Sequence, residues 1–308
     1  AAYYVNDVVA PLKSMLEVEL GWSSSDYGFY TGGYSFLNVF FLMLIWGGLI
    51  LDRFGIRFTG KLATVLMVVG TALEYYAMTG LVGPEAELFG CSELFGYQIG
   101  VFTAFLGYSI FGVGAEVAGI TVTKIIAKWF HGKELATAMG LQVALARIGS
   151  QAGYAVAIPL ARAFQITTPV MVGLLLLVGG LVAFFVFAIM DRKLDKQLEA
   201  EAVASGEADP AEKFSFKDVK NILCNPGFWL IALLCVFFYS CVFPFQKFAS
   251  EFMVLKYGIN ENVAGTIAGL PALGALFLTP IFGGYIDKRG KAASIMLLGS
   301  AMLIGVHF

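Results

Sequence analysis

Long apolar segments are the feature that most restricts how this chain can fold. A helix needs about 20 consecutive apolar residues to cross the hydrocarbon core of a bilayer, and a chain in lipid must satisfy its backbone hydrogen bonds internally. The apolar segments lie at about 1–12, 27–51, 60–82, 96–122, 134–160, 168–190, 227–249, 262–286 and 292–308. The sequence therefore predicts an all-α membrane protein of about nine helices.

The two ends of the chain interrupt this pattern. The apolar segment 1–12 is too short to span a bilayer, and the segment 292–308 is followed by no polar residues. We therefore expect the chain to be a fragment of a longer protein, with helix one truncated.

Composition excludes several classes of protein. Charged residues make up 14% of the chain and hydrophobic residues 58%, whereas soluble domains average about 25% charged residues. Too few polar side chains remain to cover a water-facing surface, which excludes an ordinary soluble enzyme. The net charge of −2 provides no basic surface for nucleic acid. The four cysteines show no metal-ligand spacing, so we expect neither a metal site nor a disulfide framework. We also expect no cofactor.

Basic residues are distributed unevenly among the loops. Most of the 20 Lys and Arg residues follow segments two, four, six and eight. The alternate loops contain only Lys13, Arg162, Lys247 and Lys256. Because cytoplasmic loops are enriched in Lys and Arg, we expect the first set of loops and the N-terminus to be cytoplasmic. The membrane would be the plasma (inner) membrane if the source is bacterial.

The longest loop divides the chain into two parts. It contains a charged helical stretch and then the breaking pairs Ser205-Gly206 and Asp209-Pro210. We expect residues 1–190 to form an N-terminal bundle of helices one to six. Residues 191–226 would be a cytoplasmic linker, and residues 227–308 a partial C-terminal bundle of helices seven to nine.

One motif, G-x-x-x-D-[R/K]-x-G, occurs on both sides of this linker. Glycine allows helices to approach closely, and the charged residues can bind neighbouring helix ends. Its two copies comprise Gly48, Asp52, Arg53, Gly55 and Arg57 in the first part and Gly283, Asp287, Lys288 and Gly290 in the second. Duplicated halves are typical of secondary transporters. The alternative is a pair of charged turns that only follow the distribution of basic residues.

The first copy of the motif resembles the cytoplasmic signature between helices two and three of the major facilitator superfamily. This resemblance implies the major facilitator fold, in which two pseudo-symmetric six-helix bundles enclose a cavity that opens alternately to each side. The segments Lys128–Glu134 and Gly140–Ser150 are similar to a branch of this superfamily that contains a lysosomal dipeptide transporter. The sequence lacks the Gly-Pro-rich helix five of drug antiporters, and Tyr108 replaces an arginine that is usual in sugar porters.

Two opposite charges lie at similar depth inside the predicted membrane region. Glu116 is in helix four and Arg147 is in helix five, at comparable distances from the loop that joins them. An intramembrane charge needs a partner or a hydrated cavity. The two side chains could bind the ammonium and the carboxylate of one substrate, or they could form an ion pair that joins the helices. The dipeptide-transporter resemblance favours substrate binding, because both match charged positions of that branch.

Other polar residues lie at helical spacing within the apolar segments. Asp7 in helix one could take up a proton during coupling or only form a hydrogen bond. We expect Lys247 and Glu251 to pair at i, i+4 near the outer end, and Glu74 has no partner that the sequence identifies. The further candidates for substrate binding are Gln151, which shares a face with Arg147; Tyr34 and Asn38 in helix two; and Tyr239 and Gln246 in helix seven.

We therefore expect a secondary active or facilitative transporter, a symporter or uniporter, rather than an enzyme. Its substrate would be a small polar solute, such as a short peptide, another zwitterion or an organic anion. The expected partners are this solute, a proton if transport is coupled, and the lipid bilayer, with the protein a monomer that binds no nucleic acid. The alternative is a membrane receptor or sensor that has the same fold but does not transport.

Overall fold

A computed structural model describes residues 1–83, 85–130, 135–205, 223–289 and 292–307. The helices are α1 (Ala2–Val8), a short 3₁₀ turn (Ala10–Leu12), α2 (Lys13–Glu19), α3 (Ser24–Phe40), α4 (Met43–Gly80), α5 (Ile99–Trp129), α6 (Leu135–Ala163), α7 (Thr168–Ser205), α8 (Pro226–Tyr257), α9 (Glu261–Arg289) and α10 (Ala292–His307). The two strands β1 (Glu93–Leu94) and β2 (Tyr97–Gln98) form a small antiparallel hairpin between α4 and α5.

Five of the described helices are both long and apolar enough to cross a bilayer. They cover Met43–Gly80, Ile99–Trp129, Thr168–Asp195, Pro226–Tyr257 and Glu261–Thr279. The prediction of an all-α, multi-pass membrane protein is confirmed.

Local sequence explains how the first helices begin and end. Pro11 lies in the 3₁₀ turn that separates α1 from α2, at a position where its missing N–H is tolerated. Ser23 caps α3: its hydroxyl accepts a hydrogen bond from the Asp26 N–H at 3.2 Å, and Asp26 accepts one from the Ser23 N–H at 2.9 Å. This reciprocal capping box satisfies amide groups that would otherwise be unpaired at the helix start.

Helices two and three are divided differently from the prediction. We expected one uninterrupted segment at 27–51, but α3 ends at Phe40 and Leu42 has a left-handed backbone with φ 51°. The next division is at Gly55 inside α4, where φ is 75° and ψ is 174°. Glycine adopts this conformation without the steric cost of a Cβ. The motif glycine at position 55 therefore makes the turn between helices two and three.

Aromatic side chains fill the centre of the N-terminal bundle. Tyr27, Tyr30 and Phe111 are fully buried and Tyr108 is 1% exposed. The Tyr108 ring stacks on Tyr30 at 5.1 Å and on Phe111 at 5.8 Å between ring centroids. Because α3 and α5 also approach each other closely at Gly112, this aromatic layer is held between the backbones of these two helices.

The two parts of the chain contact each other through a few elements. Helix α9 packs along α6, and α8 packs against the 3₁₀ turn and α2. Helix α7 continues to Ser205, so the first part of the expected linker, residues 191–205, extends this helix. The rest of the expected linker up to residue 222 lies outside the described residues.

The close contact of α3 and α5 predicts that Gly112→Ala destabilises the protein. An added Cβ at Gly112 would collide with the backbone carbonyl of Tyr34, and a backbone atom cannot move aside as a flexible side chain could. Overpacking of this kind costs about 1–3 kcal/mol. We expect a lower midpoint of thermal unfolding for the full-length protein in detergent.

Gly119→Ala is the matched control for this experiment. Gly119 lies on the same helix, and an added Cβ there meets no atom within 4 Å. Alanine has the higher helix propensity, so we expect an unchanged or higher unfolding midpoint. Equal destabilisation by both substitutions would contradict the packing argument.

Candidate functional site

Two adjoining cavities lie between α1, α3, α5, α6 and α8. One has a volume of about 550 Å³ and is lined by Lys247, and the other has a volume of about 410 Å³ and is lined by Arg147. The residues that line both are Tyr3, Asn6, Tyr34 and Glu116. Since they share a wall, we treat them as one central cavity with a Lys247 lobe and an Arg147 lobe.

Glu116 lies in the wall that the two lobes share. Its Oε1 accepts a hydrogen bond of 2.7 Å from the Tyr34 hydroxyl, which fixes the carboxylate on the side of α3. Both residues are partly buried. A carboxylate has further acceptor positions after one hydrogen bond, so Glu116 can also bind a cationic group in either lobe.

Arg147 lines the second lobe from α6. Among the ion pairs of the described residues, none joins Arg147 to Glu116 within 4.0 Å. The two charges therefore lie on one cavity without bonding each other. This arrangement differs from the ion pair between helices that the sequence also allowed.

Lys247 lines the central cavity, whereas the sequence indicated a position near the outer end of helix seven. Its ammonium donates to the backbone carbonyl of Asn6 at 2.6 Å and to the Tyr108 hydroxyl at 3.2 Å, and it lies 3.7 Å from Asp7 Oδ1. Asn6 also donates to Asp7 Oδ1 at 2.8 Å. Asp7 is thus part of a polar network behind the cavity and does not line either lobe.

The expected pairing of Lys247 with Glu251 is wrong. Glu251 accepts a hydrogen bond of 2.5 Å from Lys13, which comes from α2. Spacing of i, i+4 on one helix allows a contact, but Lys13 of α2 bonds Glu251 and the Asn6 carbonyl of α1 bonds Lys247. The sequence signal for a role of Lys247 in the cavity was the high cost of a lysine inside an apolar helix.

Four of the expected binding residues do not line the cavity. Asn38 donates to the Tyr34 carbonyl at 3.0 Å, and Gln151 donates to the Thr266 carbonyl on α9 at 3.4 Å. The Gln246 backbone carbonyl accepts from the Tyr154 hydroxyl at 3.2 Å, and Tyr239 stacks on Phe243 at 5.1 Å between centroids. Helical periodicity shows which residues share a face but not what that face contacts.

A set of contacts joins the two parts of the chain at the end of the cavity near Lys13, which we call the Lys13 face. Lys13 is buried and bonds both Glu251 and Glu17, the latter at 2.9 Å. The other contacts are Arg162 with Glu261, the Tyr27 hydroxyl with the Lys247 carbonyl and the Tyr154 hydroxyl with the Gln246 carbonyl.

Glu17 of α2 is charged at this face. Hydrogen bonds from Lys13, and to a smaller extent from Ser24, lower the pKa of Glu17, which stabilises its charged form.

The first copy of the repeated motif forms an ion-pair network at the opposite end of the helices. Asp52 bonds Lys124 at 2.7 Å, which joins α4 to α5. Arg57 bonds Asp195 at 2.9 Å, and Lys128 bonds Asp191 at 2.7 Å, which adds α7. Asp191 is fully buried and also accepts from the Trp129 indole at 3.0 Å. The network therefore ties three helices together.

The remaining motif residues take no part in the ion-pair network of Asp52. The Arg53 guanidinium lies 5.5 Å from the Phe54 ring centroid, and an added Cβ at Gly48 would meet no atom within 4 Å. In the second copy, Gly283, Asp287 and Lys288 fall within the backbone of α9. Gly290 lies outside the described residues.

Similar proteins match this chain over about two thirds of its length or more. The lysosomal dipeptide transporter MFSD1 of Homo sapiens is 26% identical over 324 residues, covering 99% of this chain and 62% of that protein. MFSD1 of Gallus gallus is 30% identical over 219 residues, covering 66% of this chain and 48% of that protein. The chain therefore spans less than two thirds of the length of these relatives.

Solved structures agree with the fold. The crystal structure of a D-xylose-proton symporter aligns with a TM-score of 0.58 at 15% identity, covering 93% of this chain and 66% of that chain. A partially occluded inward-open structure of the xylose transporter XylE from E. coli aligns with a TM-score of 0.56 at 14% identity, covering 94% and 71%. At such identities the likeness concerns the fold alone.

The sequence profile of the Major Facilitator Superfamily matches residues 1–307. This match agrees with the duplicated motif, the membrane-spanning helices and the cavity between the two parts of the chain. The chain belongs to the major facilitator superfamily.

Proposed function

We propose that this chain is part of a transporter that moves a short peptide, or another small zwitterion, across the membrane by alternating access. The observation that carries the proposal is that Glu116 and Arg147 line one cavity without forming an ion pair with each other. Two unpaired opposite charges in a partly apolar cavity are complementary to a ligand that carries both charges.

The chemistry of the two side chains assigns each a partner on the ligand. A substrate ammonium would bind Glu116, whose carboxylate is held by the Tyr34 hydroxyl at 2.7 Å. A substrate carboxylate would bind Arg147, because a guanidinium can donate two parallel hydrogen bonds to it. A neutral sugar would leave both charges without an oppositely charged partner on the ligand, so it would make no use of either charge.

The names of the relatives support this substrate class. MFSD1 is named a lysosomal dipeptide transporter, and the match covers nearly the whole of this chain. An organic anion such as a carboxylate is the second candidate substrate, since it would satisfy Arg147 and leave Glu116 with its Tyr34 hydrogen bond. A receptor that binds the same ligand without moving it is the alternative function.

Several features of the proposed transporter follow from the sequence. We infer that the N-terminus and the Asp52 network are cytoplasmic, because the basic loops lie at that end. We also infer that the protein is a monomer. The Lys13 face would then be the opposite, closed side of the cavity. Opening it requires the contacts between Lys13 and Glu251 and between Lys247 and helix one to separate. Proton coupling through Asp7 stays a prediction.

Solute flux separates a transporter from a receptor. In proteoliposomes that contain the full-length protein, we expect a radiolabelled dipeptide to accumulate inside faster than in protein-free liposomes, and excess unlabelled dipeptide to compete. Binding to the detergent-purified protein without flux would favour the receptor instead.

Arg147→Ala should remove the part of ligand affinity that depends on the ligand carboxylate. We expect dipeptide binding to weaken by about 30-fold or more, since losing the partner of a charged group costs about 2 kcal/mol or more. A dipeptide with an amidated C-terminus should bind the unmodified protein with a similar loss. Isothermal titration or thermal-shift measurements would give both affinities.

Arg192→Ala is the control, because Arg192 is an exposed basic residue on α7 outside the cavity. It should bind the free-acid dipeptide as the unmodified protein does. Amidation of the dipeptide C-terminus should not weaken binding to the Arg147→Ala variant any further. Equal binding of amidated and free-acid dipeptides to the unmodified protein would refute the peptide assignment.

Asp52→Ala should impair transport more than binding. The substitution removes the 2.7 Å bond to Lys124, and neither Asp52 nor Lys124 lines the cavity. We expect the loss of this bond to change the relative stability of the conformations. Because both side chains are about half exposed, the pair contributes up to about 1 kcal/mol, so we expect a transport rate lower by about fivefold. Flux and equilibrium affinity would be measured on the same preparation. Lost affinity with unchanged flux at saturation would contradict this role.

A further inference from the structure

Glu74 is a buried acid that the proposed substrate site does not use. It lies in α4, and its side chain is fully buried. Its Oε1 is hydrogen bonded to the Tyr30 hydroxyl from α3. Its Oε2 is buried and has no hydrogen-bond partner among the described residues. No ion pair among the described residues includes Glu74.

The elements packed around Glu74 provide no counter-charge that is free to pair with it. Tyr30 of α3 and Tyr108 of α5 are neutral phenols, and the part of α7 at 168–190 contains no titratable residue. The cation that interacts electrostatically with Glu74 is Lys247 of α8. Lys247 is already engaged by Asn6, Tyr108 and the Asp7 carboxylate of α1.

A buried carboxylate without a counter-charge is far more costly than a neutral carboxyl group at the same place. The neutral form keeps its carbonyl oxygen as the acceptor for Tyr30 and leaves only one hydroxyl without a partner. We propose that Glu74 is a proton-binding site, and that it holds a proton while the Lys13 face is closed and exchanges it with water when that face opens.

The route for this exchange is the aromatic layer between Glu74 and the cavity. The Tyr30 ring stacks on the Tyr108 ring at 5.1 Å, and the Tyr108 hydroxyl bonds Asn6 at 2.9 Å and Lys247 at 3.2 Å. Asn6 and Lys247 line the central cavity. When α8 moves away from α1, the aromatic layer loses the hydrogen bond between Lys247 and the Tyr108 hydroxyl. Water then reaches the carboxyl group, which gives its proton to that water and becomes a carboxylate.

Infrared spectroscopy of the full-length protein tests the bound proton directly and needs no substrate. We expect the unmodified protein to show the C=O stretching band of a protonated carboxyl group, and Glu74→Gln to lack it. Glu17→Gln is the matched control, because Glu17 is an ionised glutamate bonded to Lys13 and Ser24. It should retain the band. Identical spectra for the unmodified protein and Glu74→Gln would overturn the proposal.

Tyr30→Phe provides a second test that keeps the acid in place. It removes the hydrogen bond that Glu74 accepts, so the C=O band should move to higher frequency while its intensity remains. An unmoved band would overturn the assignment to Glu74 even if Glu74→Gln does not fold.

Proton exchange during the cycle is tested with a pH-sensitive dye inside proteoliposomes. Only this measurement depends on the proposed function, because it uses a dipeptide gradient. We expect dipeptide influx to acidify the lumen with the unmodified protein, and Glu74→Gln to exchange dipeptide without acidification. Asp7→Asn is the companion variant. Acidification that is lost in Asp7→Asn but kept in Glu74→Gln would overturn the role of Glu74 in exchange.

Discussion

The arrangement of the central cavity depends on the bonds that Lys247 makes across the two parts of the chain. Its ammonium comes from α8 but bonds the carbonyl of Asn6 and lies near the carboxylate of Asp7, both in helix one. A lysine inside an apolar helix is stable only where such partners or water are available. The same bonds join α8 to α1 and α5 beside the cavity.

The charges of the described helices fall into two groups. Those with partners join helices, as Asp191 does with Lys128 and the Trp129 indole at the end of α7. Glu116, Arg147 and Glu74 have no ionic partner among the described residues, and they lie on the cavity or behind its aromatic wall. Unpaired charge is costly in a membrane protein, and its concentration around one cavity is the basis for proposing that a ligand and a proton bind there.

Much of the fold could be predicted from the sequence, and the boundaries could not. Hydrophobic length alone indicates spanning helices, and the duplicated motif indicates two related parts. The break at Phe41 and Leu42 has no sequence signal comparable to a proline or a glycine, so segment two was predicted as continuous. Gly55 was identified in the motif, but only its φ of 75° shows that it forms the turn between two helices.

For the candidate site, the sequence by itself determined which groups are costly to bury, because an intramembrane Glu116 or Arg147 needs a partner wherever it lies. Tertiary structure decided what each group contacts. It placed Tyr34 on Glu116 and Tyr30 on Glu74, and it gave Lys247 the Asn6 carbonyl as a partner in place of Glu251. It also placed Gln151 on the Thr266 carbonyl and Tyr239 on Phe243, outside the cavity lining. The physical reason is that periodicity fixes neighbours along one helix, whereas contacts between helices depend on how the backbones pack against each other.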